Sequence, residues 1–333
     1  MAVFAPYLSF IWASAEECGI DAEQLFREAG IDPALRMDPN ARISADKLDQ
    51  LLWTAKQESH DDAFAFHLVE HVHPSYYGVM GYAWLASETL RKAFELLYRY
   101  QKLLSDDGLV QLEDTGTHLR VELEWRPDIE RDPALRERIR LSNVARLCRM
   151  VCGDAFKPDK VFFMQEEPPR PAAYYAYFRC KLEFGAAASA VLIDAETADQ
   201  RLPGYDPRLL LMFEKQIIDY LAVLDKNDIL GQTKSIIYDQ LPFGQVAIEQ
   251  IAERLFLSER TLRRRLKEAG SSYKELLAAT RRELGERYIQ DSSLSLTEIA
   301  YMLGFSDSSS LSRAYKGWTG KSPSEDRNTN QAL

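Results

Sequence analysis

A pattern near the C-terminus occurs twice, and it constrains this chain more than any other feature. The first copy is Ile251-Ala252-Glu-Arg-Leu255-Phe-Leu257-Ser258, followed by Leu262, Arg264, Leu266 and Lys267. The second is Ile299-Ala300-Tyr-Met-Leu303-Gly-Phe305-Ser306, followed by Leu311, Arg313, Tyr315 and Lys316. The copies align at an offset of 48, which becomes 49 after one inserted residue. Each reads as a short helix, a tight turn and a second helix opened by a serine. Ile251/Ala252/Leu255 and Ile299/Ala300/Leu303 give each first helix one apolar face. Ser258 and Ser306 stand where an N-cap is wanted. Ser295 and Glu298 have the spacing of a capping box, and Gly304 supplies a left-handed turn position. Between the copies, Tyr273–Gln290 reads as one connector helix, with Gly285 as its weak point unless close packing needs it.

Two helix-turn-helix units on one rigid connector imply a function. A second helix held by its apolar face leaves the opposite face free for a major groove. Successive grooves lie about 34 Å apart. The first unit presents Ser258, Arg260, Thr261, Arg263 and Arg264. Arginines there can pair with guanine O6/N7 or hold a phosphate. The second presents Ser308, Ser309, Ser310, Ser312 and Arg313, a less charged face suited to backbone positioning and modest base readout. Charge distribution agrees with local steering onto double-stranded DNA. Net charge is −10, but from Leu241 onward there are 14 Lys+Arg against 12 Asp+Glu, and the 240 residues before hold 27 against 39. An acidic body carries a mildly basic tail.

The rest of the 333 residues read as a mixed α+β domain over 1–206. Residues 2–30 have a helical rhythm, with Asp21 and Glu23 at the start of a second short helix. Ser44-Ala45-Asp46 opens a helix bearing Leu48, Leu51, Leu52 and Ala55. Further helices are expected over 61–72, 87–104 and 132–152. A hairpin is expected over 109–125, and strands over 160–164 and 190–193. The segment 207–240 reads as a helix and a linker, and 241–333 as the DNA-binding domain. Leu210, Phe213, Ile217, Tyr220 and Leu224 recur at steps of 3 and 4, the spacing of a dimer seam. Apolar Leu209, Leu211, Ile218 and Leu221 on other faces fit a buried helix equally.

No basic stretch followed by an apolar run opens the chain, and no long uncharged apolar run occurs in it. Cys18, Cys148, Cys152 and Cys180 suit reduced thiols, so a cytosolic protein is expected. Nucleotide loops, catalytic triads and metal-hydrolase motifs are not found. The expectation is therefore a non-enzyme without a cofactor or bound metal. His67, His71 and His73 lie close enough to suggest a haem or metal sensor, but no Cys or further acid completes the set. Tyr174, Tyr175, Tyr177 and Phe178 form an aromatic cluster that suits core or an apolar ligand pocket.

The C-terminal stretch closely resembles the AraC/XylS family of bacterial transcription regulators over about 80 residues, roughly Val246 to Arg327. The strongest piece runs from Ile299 to Pro323, with Gly304-Phe305, Ser312-Arg313, Gly320 and Ser322-Pro323 where the family has them. Leu311 departs from a common aromatic, and Asp326 from a Tyr before the final Arg327. The resemblance implies DNA contacts from Arg260, Arg263, Arg264, Ser308, Ser309, Ser312 and Arg313, with RNA polymerase as a partner. The front part resembles the arabinose-binding-like effector domain of regulators of ornithine and alkane use and of mycobacterial virulence regulators. It does so through Tyr77-Gly78-Val-Met-Gly81, Ser87–Phe94 and Tyr98-Arg-Tyr100. This implies a homodimeric activator answering to a small amphipathic effector: a fatty acid, hydrocarbon derivative or amino acid. A regulator governed by a protein partner or by abundance, with a purely dimerising front domain, is the alternative.

Overall fold

The computed structural model describes residues 2–61, 63–105, 110–123, 131–224, 228–244, 246–290 and 294–331. The chain divides into two compact units, Met1–Phe213 and Glu214–Leu333.

Unit 1 is α+β. Strand β1 (Ala2–Phe4) pairs antiparallel with β2 (Arg42–Ser44), and between them lie α1 (Leu8–Glu17) and α2 (Ala22–Glu28). The helical rhythm expected from residue 2 therefore begins only at Leu8. A three-residue strand is held by its distant partner, and its own pattern is too short to show a period of two. Asp21 caps α2 through the Gln24 amide, and Ser44 caps α3 (Ala45–Ser59) through that of Lys47. Then follow α4 (Phe64–Glu70), α5 (Val79–Leu85) and α6 (Leu90–Tyr100). Helix α6 starts later than residue 87 because Thr89 is its cap.

A sheet follows in the order β3-β4-β7-β5-β6, built from β3 (Val110–Asp114), β4 (His118–Leu123), β5 (Lys160–Phe162), β6 (Lys181–Glu183) and β7 (Ala190–Asp194). Only β5 and β6 run parallel within it. The expected hairpin is β3–β4, and its ends, 109 and 124–125, lie outside the described residues. Helix α7 (Pro133–Cys152), capped by Asp132, packs against α4, α8 (Ala172–Phe178) and β7. Buried Glu137 ties α7 to the sheet by accepting from the Met164 amide at 2.6 Å, the Gln165 amide at 3.2 Å and the Ser189 hydroxyl. Short α9 (Ala195–Asp199) precedes α10 (Pro207–Leu224).

Unit 2 is helical. It holds the second half of α10, then α11 (Ile229–Gln240), α12 (Ile248–Arg254), α13 (Glu259–Glu268), α14 (Tyr273–Gln290), α15 (Leu296–Met302), α16 (Ser308–Thr319) and α17 (Pro323–Gln331). Helix α11 falls in the segment read as helix and linker. It packs on α14, and Asp228 caps it. Residues 225–227 of the expected polar linker lie outside the described residues. Buried Glu214 of α10 pairs with Arg287 of α14, which also holds Glu283 at 3.0 Å, and Glu283 takes Lys234 of α11 at 2.9 Å.

Candidate nucleic-acid interface

Both repeats fold as helix, turn and helix. In the first, Ile251 and Ala252 of α12 and Leu262 and Leu266 of α13 are buried. In the second, Ile299, Ala300 and Leu303 meet Leu311 and Tyr315 in the same way. Ser258 caps α13, accepting from the Thr261 amide at 3.1 Å. The capping box of Ser295 and Glu298 is formed, and these hydrogen bonds hold the Glu298 carboxyl below its usual range. The cap of α16 is Asp307 rather than Ser306. Asp307 accepts from the Ser310 amide at 2.7 Å, and Ser306 donates its hydroxyl to Asp307 at 2.9 Å. That inserted aspartate lengthens the second turn by one residue and so changes which residue caps it.

The two turns solve one backbone problem differently. Gly304 takes φ 68°, and a Cβ there would come within 2.6 Å of the Gly244 carbonyl oxygen. Phe256, at the matching place, takes φ 55° with a full side chain. Connector α14 ties both repeats to itself. The Tyr273 hydroxyl donates to the Val246 carbonyl ahead of α12. Arg281 donates to the carbonyls of Leu303 at 2.9 Å and Gly304 at 3.0 Å and lies over the Phe305 ring. At Gly285 an added Cβ would meet Leu303, Trp318 and Tyr315 at 3.4–3.6 Å, ordinary contact distances. Glycine there is a convenience rather than a requirement of packing. The family departures are accommodated: Leu311 is fully buried, and Asp326 accepts from the Tyr315 hydroxyl at 2.5 Å.

Opposite the buried rows lie the free faces. Arg260, Arg263 and Arg264 are exposed and Thr261 half-buried. Arg263 pairs with Glu259 at 2.7 Å and Arg264 with Glu268 at 2.8 Å, exposed contacts that dissolve at little cost. Arg260 has no side-chain partner among the described residues. Exposed Arg265 and Lys267 extend this face beyond the residues singled out from the repeat.

On α16, Ser309 and Arg313 are the exposed members. Ser310 is engaged in the cap and accepts from Arg313 at 3.2 Å, and Ser312 turns its hydroxyl back to the Ser308 carbonyl at 2.9 Å. The four serines and one arginine of the second face are thus unequal.

Other candidate residues are scattered. On α8, Tyr174 and Phe178 are buried among Phe66, Phe163 and Phe184, Tyr177 stacks on Phe66 at 5.0 Å, and Tyr175 faces solvent. They do not share one surface. On α10, Phe213 stacks on Tyr82 at 5.7 Å, and Ile217 is fully buried within its own unit. Leu210 and Tyr220 are half-buried, and the side chain of Leu224 lies outside the described residues. The seam read from spacing is therefore turned inward at Phe213 and Ile217. Its exposed apolar side chains are Leu209 and Met212 instead. The histidines face separate partners: His67 holds Asp61 at 2.7 Å, His71 holds Glu17 at 2.5 Å, and His73 holds Ser75 at 2.8 Å. Among the described residues no three His, Cys, Asp or Glu gather as a metal site. Among them, too, no helix is long and apolar enough to cross a membrane.

Comparison with known proteins matches residues 251–329 to a helix-turn-helix domain, and residues 19–202 to the N-terminal arabinose-binding domain of AraC transcription regulators. The second match alone spans more than half of the chain. The chain belongs to the AraC family. This AraC-family regulator is a DNA-binding protein with an arabinose-binding-like N-terminal domain. It is 29% identical over 317 residues to the ornithine utilization regulator of Pseudomonas aeruginosa, covering 93% of this chain and 92% of that one. It is also 29% identical over 191 residues to the transcriptional regulator VirS of Mycobacterium tuberculosis, covering 56% of this chain and 55% of VirS. The crystal structure of the regulator CdpR from Pseudomonas aeruginosa shares the fold, with a TM-score of 0.53 and 20% identity over 96% of this chain and 98% of CdpR.

Proposed function

We propose that this regulator reads promoter DNA chiefly through α13, with Ser258, Arg260, Thr261, Arg263 and Arg264 at the groove, and positions α16 through Ser308, Ser309, Ser310, Ser312 and Arg313. The carrying observation is the exposed arginine face of α13 opposite a closed apolar row. Beside it, α16 carries the Asp307 carboxylate at its N-terminus, held below its usual range by the amide and hydroxyls of Ser310 and Ser306. That charge repels phosphate where α13 attracts it. Dimerisation, with Leu209 and Met212 of α10 as the contact, supplies affinity that two unequal readers lack. The front domain takes a small amphipathic effector and shifts the population suited to promoter half-sites, from which RNA polymerase is recruited.

The test uses duplexes selected from a randomised library by the wild-type protein. Arg260→Ala and Arg264→Ala are expected to weaken the selected duplex about ten-fold or more, the worth of one paired base contact. A random-sequence duplex should lose far less. Equal losses on both would make these arginines phosphate contacts only.

A further inference from the structure

Beside the aromatic cluster of α8, unit 1 gathers polar groups from separate elements. Tyr7, just before α1, lies deep within the unit, yet part of its surface is uncovered. Its ring meets that of Tyr77 edge-on at 4.9 Å, and the Tyr77 hydroxyl donates to Asn143 Oδ1 of α7 at 2.6 Å. Tyr77 is buried, while Asn143, like Tyr7, is only half-covered. Among the described residues, the Tyr7 hydroxyl and the Asn143 amide nitrogen have no hydrogen-bond partner. Both groups are thus open to what enters from outside, whereas fully buried polar groups are normally satisfied within the protein. Ser142, next to Asn143 in sequence, is fully buried and its hydroxyl is also unpartnered. The walls are aromatic, with Phe10 edge-on to Tyr7 at 6.2 Å, and Tyr177 donating its hydroxyl to the Ser142 carbonyl at 3.0 Å.

The backbone delivers Tyr77 deliberately. A Cβ at Gly81 would collide with the Pro74 carbonyl oxygen, and one at Gly78 (φ 57°) would press on the Phe4 ring at 3.0 Å. These two glycines let α5 close onto the turn that carries Tyr77, so the Tyr77–Gly81 motif is a support for this hydroxyl.

We propose that Tyr7, Tyr77 and Asn143 form the polar end of a small-molecule site in unit 1, taking an uncharged oxygen-bearing head group, such as a carboxamide, on a short apolar body. This rests on the reading of unit 1 as an effector domain. Asn143 donates to the head-group oxygen, Tyr7 donates or accepts beside it, and the aromatic walls take the body. The head is neutral because no cation acts on Tyr7 or Tyr77, and Arg149, which lies over the Tyr177 ring at 4.6 Å, is engaged by the Phe156 and Tyr177 carbonyls. Burial holds both phenols above their usual range, and the groups that act on Tyr7 and Tyr77 are other phenols and the Asn143 amide, with no cation among them. Surroundings that suppress a phenolate penalise a carboxylate in the same way. Arg146 of α7 is engaged by Glu70 at 3.6 Å.

The test is calorimetric titration of hexanamide and hexanoate into the full chain at neutral pH, with wild type, Tyr7→Phe and Asn143→Leu. Tyr7→Phe removes a hydroxyl with no internal partner and so leaves folding intact. Hexanamide is expected to bind, hexanoate about ten-fold more weakly, and each variant to lose about five-fold in hexanamide affinity. Absence of hexanamide binding, equal binding of hexanoate, or full affinity in Tyr7→Phe would overturn the proposal. A parallel titration of library-selected DNA separates the two readings. Binding at this site without any change in DNA affinity leaves the site standing and removes its effector role.

Discussion

Phe256 holds its backbone at φ 55° while its ring is 96% exposed. A bulky residue pays about 1–2 kcal/mol for left-handed backbone, and this ring recovers little of it by burial. Phe256→Gly is therefore expected to raise the stability of unit 2 by about 0.5–1 kcal/mol in urea unfolding, glycine's own entropy offsetting part of the relief. A fall in stability would show that the ring packs where it is seen exposed. Asp307 poses the complementary question. Asparagine caps a helix as well as aspartate does, so Asp307→Asn should keep the cap and lose only the part of its stability that depends on the charge, while raising DNA affinity and steepening its salt dependence. Unchanged affinity would place the start of α16 away from phosphate.

Helix α14 sets where both readers stand, and its own interior holds a gap in propensity. A methyl at Gly285 would find Leu303, Trp318 and Tyr315 at contact distance. Gly285→Ala should thus gain about 0.5–1 kcal/mol by chemical denaturation; a loss would mean that those neighbours cannot yield a few tenths of an ångström. The caps of α15, α16 and α17 share an acid sensitivity. Glu298, Asp307 and Glu325 are each held below the usual carboxylate range by hydrogen bonds to their ionised forms. Their stabilisation is present above the unfolded-state values and fades as pH falls through the lowered folded ones. Glu298→Gln should accordingly flatten the acid limb of the pH–stability curve, read from urea midpoints between about pH 3 and pH 6. A parallel downward shift of the whole curve would point to a packing defect instead.

At the scale of the molecule, α10 decides between core and partner. Ile217 is fully buried and Met212 half exposed, at 51%. Leu209→Glu with Met212→Glu is expected to give folded monomers in sedimentation, whereas Ile217→Glu should destabilise the protein outright. Dimers that persist in the double variant would move the interface elsewhere.

The sequence by itself determined the double helix-turn-helix, down to the bounds of α14 and the capping box at Ser295. Those elements rest on local periodicity and on caps within four residues of each other, and a repeat states them twice. It also determined that arginines crowd one face of α13, because helical spacing alone places them opposite Leu262 and Leu266. Only the tertiary structure decided what depends on distant partners. It paired Ala2–Phe4 with Arg42–Ser44 and turned Ile217 inward from an apparent seam. It split the aromatic run of α8 between core and solvent. It brought Tyr7, Tyr77 and Asn143 together from three separate elements. No local pattern encodes such meetings, since they arise from which apolar faces close on one another and which polar groups that closure leaves open.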